Sequence, residues 1–227
     1  MIPSLFRSWG YMCMNVFYYL FSKSYVDKKI REYLSCTYKK DDIIVVALHG
    51  IFEYYWQSFT MYLKYFDKQG RVIIPICHNY WKPHDEILKK ITKDIQNIKD
   101  KTKATIVLVG NSDGALLGSQ YMYATKGKLI KEFIPIAGPY EKTNGVAFWW
   151  NWIRPTSSSY LAKLYQRLQK EKPPKTKQAL YASKDYFVLE GHRKLLSVKN
   201  IPFPTGHFGM LYNKQVIEYL YNYIFKT

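Results

Sequence analysis

A chain of 227 residues, 48% of them hydrophobic, is long enough to bury a substantial core as one domain. Its 34 lysines and arginines against 17 acids leave a net charge of +17, which draws anionic partners, either phospholipid headgroups or nucleic acid. No tight arginine cluster, zinc-ligand spacing or RNA-binding signature accompanies the charge, so no nucleic-acid partner is expected, and Lys89, Lys90, Lys93 and Lys99 read as solvated helix faces.

Residues 1–40 form an aromatic amino-terminal segment. From Ser8 to Ser22 there is no charge, and Arg7 precedes the stretch as a short basic region precedes a signal core. The stretch is short for a bilayer span, which needs about 20 residues. A packed or interfacial helix is favoured, with a cleaved signal and an anchor as alternatives. The cysteines, Cys13, Cys36 and Cys77, are odd in number and widely spaced. They give neither a disulfide framework nor a metal spacing, so buried free thiols in a reducing compartment are expected, and a cytoplasmic or membrane-peripheral location over a secreted one.

From residue 41 onward, strands and helices alternate. Continuous apolar runs mark strands buried on both faces at Ile43 to Leu48, Arg71 to Ile76 and Ala104 to Gly110. Shorter runs follow at Phe133 to Ala137, Gln178 to Ser183 and Ser197 to Phe203. Pro75 suggests that the second strand ends there. Between the strands, Ile87, Ile91, Ile95 and Ile98 recur at helical spacing, Gly114 to Thr125 follows the third strand directly, and Val216, Leu220 and Ile224 stripe the closing helix. The pattern predicts an α/β fold with a mostly parallel, doubly wound sheet and right-handed crossovers. Residues 139–177 break the alternation. They carry Trp149, Trp150 and Trp152, then a helical patch from Ser159 to Gln169, and read either as an ordinary helical insertion with core-facing tryptophans or as a lid over an apolar pocket.

The chemistry centres on Gly110-Asn111-Ser112-Asp113-Gly114, a G-x-S-x-G sequence between the clearest strand and a helix. Flanking glycines suit a strand that turns at once into a helix and lifts a serine hydroxyl above the carboxyl edge of the sheet. A serine needs an imidazole to take its proton. Of the five histidines, His207 lies in a glycine-flanked loop after the last strand, where the sheet delivers it to the same edge. His49 sits in the first loop, His78 and His84 flank a proline-containing loop with no obvious partner, and His192 reads as a surface or core residue. Asp185, after the fifth strand, is the candidate acid that orients the imidazole, and Glu141 the runner-up. His49-Gly50 ends the first strand in a loop that can approach a substrate closely. The backbone amides of Ile51 and Asp113 are the candidate oxyanion donors.

The combination "VVALHGIF", "GNSDG", "SKDYFV" and "GHFGML", in that order, resembles the α/β-hydrolase fold superfamily, and within it compact lipases, esterases and thioesterases with a histidine-glycine oxyanion loop. The resemblance covers Ile43 to the carboxyl terminus. It implies a carboxylic ester hydrolase with Ser112 as nucleophile, His207 as base, Asp185 as acid, Ile51 and Asp113 as oxyanion amides, and 139–177 as lid. It calls for no cofactor and no metal. Two residues depart from the pattern: Asn111 stands where histidine is usual, and Asp113 where a hydrophobic or amide residue is usual. If the Asp113 carboxylate faced the substrate it would oppose oxyanion formation, which gives a catalytically inactive module that binds a membrane or a partner as the alternative. Acyl transfer to another alcohol uses the same residues. The aromatic segment, the tryptophans and the basic charge together point to acyl esters of lipids as substrates and to an anionic membrane surface as a partner.

Overall fold

The computed structural model describes residues 10, 13–14, 16–51, 53–140, 158–185, 188 and 194–226. Six strands, β1 (Ile43–Leu48), β2 (Val72–Ile76), β3 (Thr105–Asn111), β4 (Ile130–Ile136), β5 (Gln178–Ala182) and β6 (Lys199–Phe203), form one sheet in the order β2-β1-β3-β4-β5-β6. Every adjacent pair is parallel, with Ile44 of β1 beside Val72 on one side and Ile106 on the other. The expected fold is therefore the observed one. β1 and β3 are buried along almost their whole length, which is why they read as unbroken apolar runs.

Two prolines shape the sheet. Pro75 does not end β2 but lies within it, opposite Ala47, an arrangement open to an edge strand because its outer side needs no ladder donor. Pro135 lies in the interior strand β4. On the β5 side the N–H groups of Phe133 and Ala137 donate to the carbonyls of Lys175 and Leu180, and Pro135, midway between, has no N–H to give. The β4–β5 ladder is accordingly reduced to Ile136 opposite Leu180 plus an isolated bridge from Phe133 to Thr176.

Among the described residues, beside a helical stretch at 16–21, the helices are α1 (Lys23–Ser35), α2 (Tyr55–Ser58), α3 (Thr60–Lys68), α4 (His84–Thr102), α5 (Asp113–Thr125), α6 (Ser158–Leu168), α7 (Gly209–Tyr212) and α8 (Lys214–Phe225). From β1 the chain steps one way to β2 and then back across to β3, so right-handed crossovers send α3 to one face and α4 and α5 to the other. Packing follows this division: α3 meets α8, and α4 meets α5. The isoleucine stripe of α4 and the Val216, Leu220, Ile224 stripe of α8 are buried as their spacing requires. α5 is buried on every side from Asp113 to Tyr123, a helix enclosed between sheet and neighbours.

α2 and α3 had no counterpart in the sequence reading. Tyr55, Phe59, Leu63 and Phe66 are spaced for one buried helical face, but aromatic residues on the other faces obscure the stripe. The cysteines also differ from expectation, all three being exposed, because Cys36 caps the end of α1 and Cys77 follows the edge strand. Of the insertion, 158–168 is the expected helix. The three tryptophans, Glu141 and His192 lie outside the described residues. Among the described residues no helix is long and apolar enough to cross a membrane.

Candidate active site

Strand order determines where a crevice can open. The chain leaves the carboxyl ends of β1 and β3 in opposite directions, and the gap between those two loops is the natural ligand position in a parallel sheet. Gly50 leaves β1 at that point and Ser112 leaves β3. A methyl group on Gly50 would stand 3.0 Å from Ser112 Cβ and 3.0 Å from Glu53 Oε2, so a residue without a side chain lets the first loop lie against the serine.

Ser112 turns the chain sharply from β3 into α5. Its φ of 54° and ψ of −116° are strained for a residue with a side chain, at a cost of about 1–3 kcal/mol. The turn is held by Ser112 N–H donating to the Ile136 carbonyl at 2.9 Å and by Ala115 N–H donating to the Ser112 carbonyl at 3.0 Å. A methyl at Gly110 would meet the Gly114 carbonyl oxygen at 2.3 Å, and one at Gly114 the Leu48 carbonyl oxygen at 2.2 Å. Both glycines of the sequence signature are thus explained by backbone passing close to backbone.

His207 lies between β6 and α7, 95 residues beyond the serine, and its Nε2 is 3.0 Å from Ser112 Oγ. Its Nδ1 is 2.7 Å from Oδ2 of Asp185, which follows β5 and whose other oxygen accepts the Val188 N–H at 3.0 Å. Asp185 and His207 are both buried. With Nδ1–H given to the carboxylate, Nε2 presents its lone pair to the hydroxyl, so the Ser112 O–H donates to the ring. The three residues singled out from sequence converge. Asp113 begins α5, where backbone N–H groups lack helical acceptors, and Ile51 follows Gly50 and packs on the apolar cluster of Leu116, Tyr140, Leu161 and Leu164.

No protein-family model and no curated protein sequence matches the chain. Solved structures do. The mature lipase of Bacillus licheniformis superposes with a TM-score of 0.64 at 14% identity, covering 82% of this chain and 93% of that one. An α/β-hydrolase enzyme from lagoon-sediment metagenome gives 0.59 at 15% identity, covering 82% and 91%. A monoacylglycerol lipase of Paleococcus ferrophilus gives 0.55 at 13%, covering 78% and 93%. The chain has the α/β-hydrolase fold.

In this α/β-hydrolase scaffold the crevice is underlaid by polar side chains that sequence reasoning passed over. Glu53 is buried, and its Oε2 accepts Gly50 N–H at 2.9 Å and Ser58 O–H at 2.7 Å, with the Asn111 amide nitrogen 3.4 Å away. It ties the loop after β1 to the residue before Ser112. Burial pushes its carboxyl above the usual range, opposed by the donors of Ser58 and Gly50 and by the nearby His207. No spacing in the sequence marks Glu53, since its partners lie three, five and 58 residues away, the last on another strand.

Asp113 is resolved in the same way. Its carboxylate is fully buried, with Oδ1 3.4 Å from Nε2 of the equally buried His84, the first residue of α4. His84 and His78, for which the sequence suggested no partner, both have one. The His78 ring stacks on His49 with centroids 3.7 Å apart and planes 10° apart, and the His78 carbonyl lies 3.2 Å from His49 Nε2. His49 thereby anchors the first loop. Among the described residues no group of three or more histidine, cysteine, aspartate or glutamate side chains is placed to hold a metal ion.

Proposed function

We propose that the protein is a serine hydrolase that cleaves acyl esters or thioesters through an acyl-enzyme, with lipid esters as the preferred class. The observation that carries this reading is the hydrogen-bonded series Asp185–His207–Ser112, with contacts of 2.7 and 3.0 Å, on a strained turn facing a glycine loop. Ser112 Oγ attacks the carbonyl carbon as its proton passes to His207 Nε2, and Asp185 stabilises the resulting imidazolium. The Ile51 and Asp113 amides receive the oxyanion. His207 then protonates the departing alcohol or thiol, and a water, deprotonated by the same ring, releases the acid. Ile51, partly buried and packed against an apolar cluster that includes Leu116, Leu161 and Leu164, supports an apolar acyl group beside the serine.

The pairing of Asp113 with His84 supports the active reading over the non-catalytic one, because it gives the carboxylate a partner other than the oxyanion. The test is labelling by a fluorophosphonate. The protein is expected to form a covalent adduct that is absent in Ser112→Ala and strongly reduced in His207→Ala. A folded wild-type protein that stays unlabelled refutes the hydrolase and leaves the binding module.

A further inference from the structure

We propose that the aromatic rim beside the site is a membrane-docking face that seats the protein on a bilayer containing anionic lipid. The helical stretch at 16–21 packs inward through Tyr18, which stacks on Tyr212 at 5.8 Å and whose hydroxyl lies 2.8 Å from Met61 Sδ. Its other side is inverted relative to a soluble helix. Phe17, Leu20 and Phe21, at helical spacing, are 56%, 61% and 67% exposed, and Val16 beside them is 56% exposed. Apolar residues turned together away from the core mark an interaction surface rather than scattered exposure.

A series of aromatic contacts, buried at Tyr80, links this face to exposed Trp81 along the carboxyl edge of the sheet. Tyr19 meets Tyr54, Tyr54 meets Tyr80, and Tyr80 meets Trp81, with centroid distances of 5.3, 6.3 and 5.1 Å, and Trp81 is 55% exposed. Apart from Tyr19, the residues of this series follow the carboxyl ends of strands or His207, as the site residues do. Tyr54 follows Glu53 in the loop after β1, Tyr80 and Trp81 follow β2, and Tyr212 ends the short helix after His207. Ser112 and the apolar rim therefore lie at the same end of the sheet.

The occupant follows from composition and charge. Phenylalanine, tyrosine and tryptophan edged by lysine suit the boundary between acyl chains and headgroups. Lys23 lies over the Trp56 ring at 5.6 Å, and Lys64 over Tyr18 and Tyr25 at 5.3 and 5.8 Å. Lys23 is paired with Asp27 at 2.6 Å, so Lys64 and the chain's net charge of +17 are what complement an anionic leaflet. A second copy of the chain would instead bring like charge against like.

The proposal rests on the hydrolase reading only for its consequence, that docking presents the crevice to lipid. Binding is therefore measured on full-length Ser112→Ala by flotation with vesicles of phosphatidylcholine containing about one third phosphatidylserine, and with phosphatidylcholine alone. The expected result is binding to the anionic vesicles, weakened by salt, and reduced about 100-fold or more in the doubly substituted Leu20→Asn, Phe21→Asn protein and about tenfold in Trp81→Ala. With Ser112 present, the same double variant should cleave a soluble short-chain ester at the wild-type rate and a vesicle-borne ester more slowly. Vesicle binding unchanged in a folded double variant overturns the proposal. So does a dimer in sedimentation that the double variant dissolves, which assigns the face to a second copy. Vesicle binding without hydrolysis of any ester leaves the docking face standing and refutes the hydrolase.

Discussion

Glu53 is the sharpest test of how the crevice is built. Its carboxyl collects Gly50 N–H, Ser58 O–H and the Asn111 amide in a site closed to solvent. In Glu53→Ala all three donors lose their acceptor. The Gly50 N–H, fixed by its backbone, cannot turn elsewhere and alone costs about 1–3 kcal/mol, and adding the cavity gives a loss of about 3–5 kcal/mol in urea unfolding. The freed loop carries Ile51, the proposed oxyanion donor, so turnover of a soluble ester should fall by a factor on the order of 100, the cost of losing one such donor.

Glu53→Gln separates charge from hydrogen bonding. The glutamine oxygen keeps the Gly50 and Ser58 donors, and its nitrogen can serve Asn111 Oδ1, a buried acceptor without a donor, once that amide turns over. The variant thus copies the neutral acid. Because burial raises the carboxyl in the folded protein, ionisation is harder there than in the unfolded chain, so the contribution of Glu53 to stability is fully present at low pH and declines as pH rises from the ordinary carboxylate range, about 4.3, through the raised value. Each unit of elevation is about 1.4 kcal/mol. Glu53→Gln should match wild type near pH 4 and exceed it at pH 8, with the difference growing between. A variant less stable than wild type at every pH, with a parallel pH profile, refutes the reasoning and makes the charge itself the stabilising element.

The strain at Ser112 and the closeness of its glycines give two more expectations. Ser112→Gly should unfold at higher temperature than Ser112→Ala, by a margin worth about 1 kcal/mol or more, because both lose the His207 contact but only glycine relaxes at a φ of 54°. Equal stability would show that the turn is not strained. Gly114→Ala places a methyl against the Leu48 carbonyl, backbone that has no room to yield, so it should destabilise by about 3 kcal/mol and abolish fluorophosphonate labelling even where folded protein is recovered. Retained labelling would mean that α5 moves freely against β1.

The parts of the fold visible in the sequence are those with a local signature. β1 and β3 are continuous apolar runs because helices cover both their faces, and α4 repeats isoleucine because one of its faces meets the sheet. Ser112 announces itself through glycines that only a strand-to-helix turn requires, and Asp185 and His207 through their positions just beyond strands. The remainder is tertiary. Nothing in the spacing of His84 and Asp113, or of His49 and His78, marks pairs that meet only because β1, β2 and β3 bring their carboxyl ends together. Aromatic residues hid α2 and α3 for a related reason. A stripe can be recognised only against a polar remainder, and Tyr54, Trp56 and Tyr65 occupy positions where polar residues would have set it off.

That division has a physical cause. Glu53, Asn111, Asp113, His84, Asp185 and His207 are all buried, yet each belongs to the carboxyl-end rim and none to the middle of a strand. Buried polar groups destabilise unless paired, so a sheet can hold this many only where loops bring donors and acceptors from several strands to one place. The apolar interior of β1, β3 and α5 offsets that concentration and fixes the positions of the loops that carry it. A rigid apolar sheet beneath a crowded polar rim holds Oγ, Nε2 and a carboxylate in line before any substrate arrives, and such preorganisation is what acyl transfer at a serine requires.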